Sequence, residues 1–132
     1  MALNDLTSDM LTRIRNSVRN HAGSVKCLDN KLNRGVAQVL TDEGYIKGFE
    51  THEHGPRRYI NLELKYGPRG EDIIHSIDRV SKPGCRVYQK VSELPRPMQG
   101  LGIAIVSTNR GVLSDRACRE QNVSGEVIAI VT

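Results

Sequence analysis

Aromatic residues are scarce in this sequence. Its 132 residues include four Tyr, one Phe and no Trp, so aromatics make up 4% of the chain. Proteins that bind single-stranded nucleic acid by stacking bases usually need more aromatic platforms.

No apolar run approaches the roughly 18 residues that a membrane-spanning helix requires, and the first residues lack the layout of a secretory signal. We therefore expect a cytosolic protein with no membrane partner.

Cysteines are few and widely spaced. Cys27, Cys85 and Cys118 are odd in number, and their spacing matches neither a disulfide framework nor a zinc motif. We predict that all three are reduced, small and apolar. The nearest approach to a metal-ligand pair is His52-x-His54, but a Gly-Pro pair follows it, which favours a solvated turn. The sequence therefore predicts no metal site.

Basic residues exceed acidic ones by a modest margin. The chain has 19 Lys+Arg and 15 Asp+Glu, a formal net charge of +4, and a pI of about 9.1. The basic residues group in three places: Arg13, Arg15 and Arg19; Arg79, Lys82, Arg86 and Lys90; and Arg110, Arg116 and Arg119. Several clusters with a small net charge favour recognition of a shaped polyanion. From charge alone, ordinary solvated faces explain them equally well.

Hydrophobic periodicity predicts the first half of the chain as helices followed by strands. The pattern predicts helices over 6–18 and about 31–43, and strands over 45–51 and 58–66 joined by a turn at 54–56. Asp29 or Asn30 can cap the second helix, and Gly44 ends it. The sequence therefore predicts a first lobe, 1–66, of helices on a short antiparallel sheet.

The second half is predicted to be mostly strand. Residues 67–70 read Gly-Pro-Arg-Gly, which breaks regular structure and is the best linker candidate. Beyond it the pattern predicts strands near 73–80, 86–88, 101–106 and 127–131, a helical turn near Leu94, and a short helix from Ser114 or Asp115 to about Gln121. The sequence thus indicates an α+β fold in two small lobes, the second over 71–132.

A polar segment, 107–111, follows the predicted buried strand 101–106 and precedes a helix. Its hydroxyls, amide and guanidinium can hydrogen-bond sugar hydroxyls, phosphates and base edges. From composition alone, a polar turn that contains glycine is the favoured interpretation. The segment 124–126 begins the last strand, and it would lie beside 107–111 if strands 101–106 and 127–131 are neighbours.

Four specific segments then occur in order along nearly the whole chain. They read DMLTRIRN at 9–16, RVSKPGCRVY at 79–88, GLGIAIVST at 100–108 and GEV at 125–127. Together they resemble the bacterial family of small-subunit ribosomal protein number eight. The resemblance implies a two-lobed, non-enzymatic protein without cofactor or small-molecule substrate. It also implies binding to the central domain of 16S ribosomal RNA early in assembly of the cytoplasmic small subunit.

The resemblance further implies which residues contact RNA. In the family, the loop after the buried strand inserts at the minor groove of an irregular RNA stem. The matching residues here are Ser107, Thr108, Asn109, Arg110 and Gly111, then Gly125 and Glu126. In the same lobe, the residues of the motif 79–84, among them Lys82, are expected together with Arg86 and Tyr88 to face RNA or to support the loop. The family's phosphate-facing positions in the first lobe match Arg13, Arg15, Asn16 and Lys31. Contacts with neighbouring small-subunit proteins, including number five, and translational repression through the chain's own operon mRNA are also implied.

Some positions depart from the family pattern. Asn109 stands where Ser is common, and Ser124 replaces the first glycine of the usual Gly-Gly-Glu. If that glycine requires a positive φ, this site is rearranged. The chain also has Asn4-Asp5-Leu6 in place of an Asp-Pro and ends on Thr132 rather than on an aromatic residue.

Two other functional classes compete with RNA binding. An enzyme would use Cys118 or Cys85 as a nucleophile with a histidine base, but at Cys118, on a predicted short helix, a packed or idle thiol is the favoured interpretation. A protein-interaction adaptor would use the predicted hairpin 45–66, and such a role is compatible with RNA binding.

Overall fold

The computed structural model describes residues 6–132. Contacts divide the chain into two compact units, the first ending at Ile74 and the second running from His75 to Thr132. The boundaries expected from the sequence, with lobes over 1–66 and 71–132 and a linker at 67–70, stay a prediction. Within the described residues, no helix is long and apolar enough to span a membrane.

The first unit contains two helices and a three-stranded antiparallel sheet. In chain order its elements are α1 (Leu6–Arg19), β1 (Ser24–Leu28), α2 (Lys31–Asp42), β2 (Ile46–His54) and β3 (Arg57–Leu64). The strand order is β1-β3-β2. Both predicted helices and the predicted hairpin are confirmed. Strand β1 was not predicted, although its residues alternate between exposed and buried positions; with only five residues this alternation is a weak signal, and the strand is completed by pairing with β3.

The helices form because their apolar residues recur every three or four positions and bury one face. The fully buried side chains include Met10, Leu11 and Ile14 from α1, Val36 and Leu40 from α2, and Ile60 and Leu62 from β3. Hydrophobic burial of this kind is the main favourable contribution to folding. The core of the first unit therefore lies between the helices and one face of the sheet.

A buried asparagine joins three elements of the first unit. Asn33, at 0% exposure, accepts a hydrogen bond from the Thr7 hydroxyl at 2.9 Å and donates to the Leu28 carbonyl at 3.0 Å. Its backbone N–H donates to Oδ1 of Asn30 at 2.7 Å. Asn30, rather than Asp29, therefore caps α2, and Asn33 fixes the starts of both helices against the end of β1.

The second unit is a five-stranded antiparallel sheet with one short helix. Its elements are β4 (Ile77–Arg79), β5 (Tyr88–Gln89), β6 (Ile103–Thr108), β7 (Gly111–Ser114), α3 (Asp115–Gln121) and β8 (Gly125–Val131), with short 3₁₀ turns at Val91–Glu93 and Pro97–Gly100. The order is β4-β8-β6-β7, and β5 also pairs with β8. The expected adjacency of strands 101–106 and 127–131 is therefore confirmed, as is the α+β class.

The second unit also corrects three expectations. The strand expected over 73–80 is limited to Ile77–Arg79, and the strand expected at 86–88 is Tyr88–Gln89. The segment 107–111 is not a loop that leads into a helix. Ser107 and Thr108 end β6, and they pair with Val112 and Gly111 of β7. Gly111 has φ +105°, a conformation that favours glycine and permits this tight hairpin.

The histidine pair lies at an exposed strand end rather than in a turn. His52 and His54 both belong to β2, opposite Tyr59 and Arg57 of β3. His52 Nε2 lies 3.4 Å from Oε2 of Glu50. The expected solvated turn begins one residue later than predicted.

Candidate nucleic-acid interface

Three of the expected site residues form one row across three strands of the second unit. Tyr88 in β5 is directly opposite Glu126 in β8, and Glu126 is directly opposite Ser107 in β6. Directly opposed residues of antiparallel strands project from the same face, with Cβ atoms about 5 Å apart. The Tyr88–Glu126–Ser107 row therefore presents a phenol, a carboxylate and a hydroxyl side by side, and Tyr88 is 69% exposed.

Two donors hold the carboxylate in this row. The Ser81 hydroxyl donates to Oε2 of Glu126, and Arg86 Nη1 donates to the same oxygen at 3.0 Å. Ser81 is itself fixed, because its Oγ accepts from the Val87 N–H at 3.0 Å. The Glu126 side chain is only 15% exposed, and its other oxygen, Oε1, has no hydrogen-bond partner among residues 6–132.

The β6–β7 hairpin is shaped by the hydroxyl of Thr108. This hydroxyl donates to the Gly111 carbonyl at 2.8 Å and accepts from the Arg110 N–H at 3.0 Å. Thr108 therefore builds the turn, while Asn109 and Arg110 at its tip are exposed. Ser107 is half-buried, and its hydroxyl has no partner within the described part of the chain.

Close backbone packing explains the glycine at 125. A Cβ at this position would overlap the carbonyl oxygen of Ser107, and it would lie 3.1 Å from Cγ2 of Thr108. Ser124, the departure from the family glycine, is not among the described residues with positive φ. Its hydroxyl accepts a hydrogen bond from the Val91 N–H at 3.0 Å. The serine therefore fits this backbone without strain and ties the start of β8 to a 3₁₀ turn.

Cations stand beside the row. Lys82 and Cys85 exchange two backbone hydrogen bonds, of 3.1 and 2.9 Å, around a Pro-Gly turn. Lys82 and Arg86 are exposed at either end of this turn. The structure thus brings Arg86, Tyr88 and Ser107 to Glu126.

The remaining expected residues belong to the first unit. Arg13, Asn16 and Lys31 are exposed and Arg15 is half-buried. Arg13 Nε donates to Oδ2 of Asp9 at 2.8 Å, and this hydrogen bond and the carboxylate charge raise the pKa of the Arg13 guanidinium. Arg13 therefore stays cationic, although Asp9 neutralises part of its field.

The cysteines do not form a catalytic arrangement. All three are free. Burial raises the pKa of Cys27 to about 12, and burial, followed by the nearby Asp115 charge, raises the pKa of Cys118. Neither thiol is ionised at neutral pH, as a nucleophile would need to be. Cys85 is exposed in the turn after Lys82.

The match to known proteins is extensive. A family model described as Ribosomal protein S8 matches residues 5–132. The chain belongs to the ribosomal protein S8 family. Small ribosomal subunit protein uS8 of Crocosphaera subtropica is 48% identical over 132 residues, which cover 99% of each chain. The proteins of the same name from Finegoldia magna and Azoarcus sp. are 45% and 47% identical over 98% and 99% of each chain.

Family membership excludes the enzyme among the competing classes. As a ribosomal protein S8 the chain is a structural constituent of the small ribosomal subunit and not an enzyme. Its location is the cytoplasmic ribosome. The family is the one that the four sequence segments resemble, so that identification is confirmed.

Sequence reasoning missed one contact of the candidate site. Ser81 lies in the motif 79–84, whose residues the resemblance expects to face RNA or to support the loop, but no partner was predicted for it. Its hydroxyl contacts Glu126, which is 45 residues later in the chain. A serine between valine and lysine carries no local signal of such a contact, so only the folded sheet reveals it.

Proposed function

We propose that the chain binds the central domain of 16S ribosomal RNA, where its second unit clamps an irregular stem at the minor groove early in small-subunit assembly. The observation that carries this proposal is the Tyr88–Glu126–Ser107 row. It places an exposed aromatic ring, a fixed carboxylate and a free hydroxyl on one shallow face.

The shape of paired RNA supports this arrangement. A-form RNA hides its base edges in a deep major groove and displays 2′-hydroxyls in a wide, shallow minor groove. Short polar side chains near the end of a strand, such as Ser107, suit that surface better than long side chains on a helix. The scarcity of aromatics in the chain is consistent with a paired target, because paired bases offer few faces for stacking.

Phosphate contacts would supply affinity that does not depend on sequence. Lys82, Arg86 and Arg110 are exposed near the row or on the hairpin that carries Ser107. In the first unit, the phosphate-facing set would be Arg13, Arg15, Asn16 and Lys31. Such contacts release counterions and weaken as salt rises. The row would supply discrimination, since phosphate contacts carry little sequence information.

The same surface would serve a second RNA. An operon mRNA site with the shape of the ribosomal stem would bind the row and hairpin in competition with 16S RNA. Binding of the chain to this mRNA site would repress translation of the operon. Neighbouring small-subunit proteins, including number five, would contact surfaces outside the row. The extent of autorepression would therefore depend on how much of the chain is left free of 16S RNA.

Footprinting on 16S RNA fragments tests the proposal. We expect the full chain to protect one irregular stem of the central domain, at nanomolar to micromolar concentrations. The control is the same stem with its irregular nucleotides replaced by Watson–Crick pairs, which should bind much more weakly. Equal protection of both stems, or protection outside the central domain, would contradict the proposal.

A further inference from the structure

Ser81 occupies a buried position directly behind the Glu126 carboxylate. It is 0% exposed, so it cannot itself touch an RNA bound on the sheet face. Its Oγ accepts from the Val87 N–H at 3.0 Å. Because a hydroxyl has a single proton, and that proton goes to Glu126, both bonds of this side chain have a fixed direction.

The backbone keeps this contact in place. Ser81 N–H donates to the Val127 carbonyl at 3.0 Å, and Val127 N–H donates to the Val87 carbonyl at 2.9 Å. Ser81, Val87 and the residue that follows Glu126 are thus joined by backbone hydrogen bonds. The sheet therefore fixes the backbone on both sides of the contact, and the hydrogen bond from Ser81 then restrains the rotation of the Glu126 side chain.

The two donors leave one carboxylate oxygen available. Ser81 and Arg86 both bond Oε2 of Glu126, and within residues 6–132 no group bonds Oε1. A carboxylate near RNA is repelled by the phosphates, so it contributes nothing to general affinity. It is useful only as an acceptor at one defined point, where the RNA offers a donor.

We propose that Ser81 is a positioning residue, which orients Glu126 so that Oε1 accepts a hydrogen bond from a donor in the RNA minor groove. This inference rests on the proposed RNA binding. Two groups present such donors there, the 2-amino group of guanine and the ribose 2′-hydroxyl. Ser81 would then determine specificity through Glu126 without contacting the RNA.

A double-mutant cycle on RNA affinity provides the first test. We compare wild type, Ser81→Ala, Glu126→Ala and the double variant for binding to the cognate stem of 16S RNA. Ser81→Ala should weaken binding about tenfold, the size of one lost charged hydrogen bond. In the Glu126→Ala background the same change should have no further effect. Independent, additive losses would overturn the proposal.

Modified RNA provides the second test and identifies the donor. One set of stems carries inosine in place of each guanine in turn, which removes the 2-amino group, and a second set carries single 2′-deoxy substitutions. Wild type should lose affinity at one position of one set. Ser81→Ala and Glu126→Ala should bind that substituted stem and the unmodified stem equally. A wild type insensitive to every substitution, or a Ser81→Ala protein with full sensitivity, would overturn the proposal.

Two control variants separate positioning from stability. Ser114→Ala removes another buried, hydrogen-bonded hydroxyl of the same unit, the one that accepts from the Ala117 N–H. It should lower the thermal midpoint but keep the sensitivity to the modified RNA. Ser81→Cys keeps the size of the side chain and a weak donor, so it should fold and lose only part of the discrimination. If Ser81→Ala does not fold, Ser81→Cys becomes the decisive variant. A folded Ser81→Cys protein that distinguishes the modified from the unmodified stem as strongly as wild type would count against the inference.

The two proposals fail in different ways. If wild type does not bind the 16S stem, the proposed function is wrong, and this inference falls with it. If wild type binds the stem while Ser81 and Glu126 prove independent, only the positioning role is wrong.

Discussion

Gly125 and Ser107 lie in neighbouring strands at so short a separation that a Cβ on residue 125 would overlap the Ser107 carbonyl oxygen. The overlapped atom belongs to the backbone, so it cannot rotate away as a side chain could. Any larger residue at 125 must push β6 and β8 apart beside the Tyr88–Glu126–Ser107 row. The spacing within that row therefore depends on a residue that has no side chain.

Gly125→Ala should consequently affect both stability and binding. We expect a loss of about 1–3 kcal/mol in the free energy of unfolding, the usual range for overpacking, and weaker binding to the cognate RNA stem. Urea denaturation and filter binding measure the two effects. Gly84→Ala is the matched control for stability, because a Cβ there meets no atom within 4 Å. Equal stability of the two variants would contradict this account.

Ser107 and Lys82 should differ in how salt modifies their contributions. Ser107→Ala should lower affinity for the cognate stem with little change in the slope of log affinity against log salt, because it removes a neutral hydrogen bond. Lys82→Ala should reduce that slope by about one, since one phosphate contact is lost. Titrations over a series of salt concentrations measure both. A Ser107→Ala, Thr108→Ala protein that binds like wild type would refute the role given to the row.

How far the sequence predicts this molecule depends on the range of the interactions. Helices α1 and α2 and strands β6 and β8 were found because their apolar periodicity or apolar runs are local signals. Strands β1 and β7 were missed, since five and four residues acquire their conformation by pairing with strands elsewhere. Sequence alone therefore predicts the class of the fold better than the edges of its sheets.

The candidate site shows the same limit. Its motif segments were recognised, but the partners of Glu126 were not, because Ser81 and Arg86 are 45 and 40 residues away. The basic group 110–119 was also misleading. Arg119 is bound to Asp115 at 2.6 Å and to the carbonyls of Leu94 and Pro95 at 3.3 and 3.0 Å. A charge run cannot reveal which of its members are already engaged.

Asn33→Ala should destabilise the first unit. The change removes the side chain that bonds Thr7 and the Leu28 carbonyl in a buried setting, and unsatisfied buried groups cost about 1–3 kcal/mol each. Chemical denaturation monitored by circular dichroism measures the loss. Gln38→Ala, on the exposed side of the same helix, removes only a bond to Asp42 and should cost at most about 0.5 kcal/mol. Similar losses of stability for both variants would show that the hydrogen bonds of Asn33 do not hold the three elements together.

Thiol reactivity should divide the cysteines. In the native protein at neutral pH, iodoacetamide should modify the exposed Cys85 and leave the buried Cys27 and Cys118 intact. Burial raises the pKa of Cys27 from 9.0 to about 12, so its thiol stays neutral in the folded chain when the pH is raised to 9 or 10. Above about pH 9 the unfolded chain ionises first, and stability should therefore fall as the pH rises towards 12. Peptide mass spectrometry measures modification, and modification of native Cys118 as fast as Cys85 would contradict the burial.

Asp115 should be among the most sensitive polar positions of the second unit. It is 1% exposed, accepts from the Ala104 N–H at 3.0 Å and pairs with Arg119, so it ties α3 to the central strand β6. Asp115→Ala leaves the half-buried Arg119 guanidinium and the buried Ala104 N–H without this partner, and we expect a loss of about 2–4 kcal/mol, since Arg119 keeps the Leu94 and Pro95 carbonyls as acceptors. Arg119→Ala should cost a similar amount, and the double variant should cost clearly less than the sum, because the two changes remove one shared interaction. Thermal unfolding measures the loss of stability in the two single variants and the double variant. Strictly additive losses would show that Asp115 and Arg119 do not act as a pair.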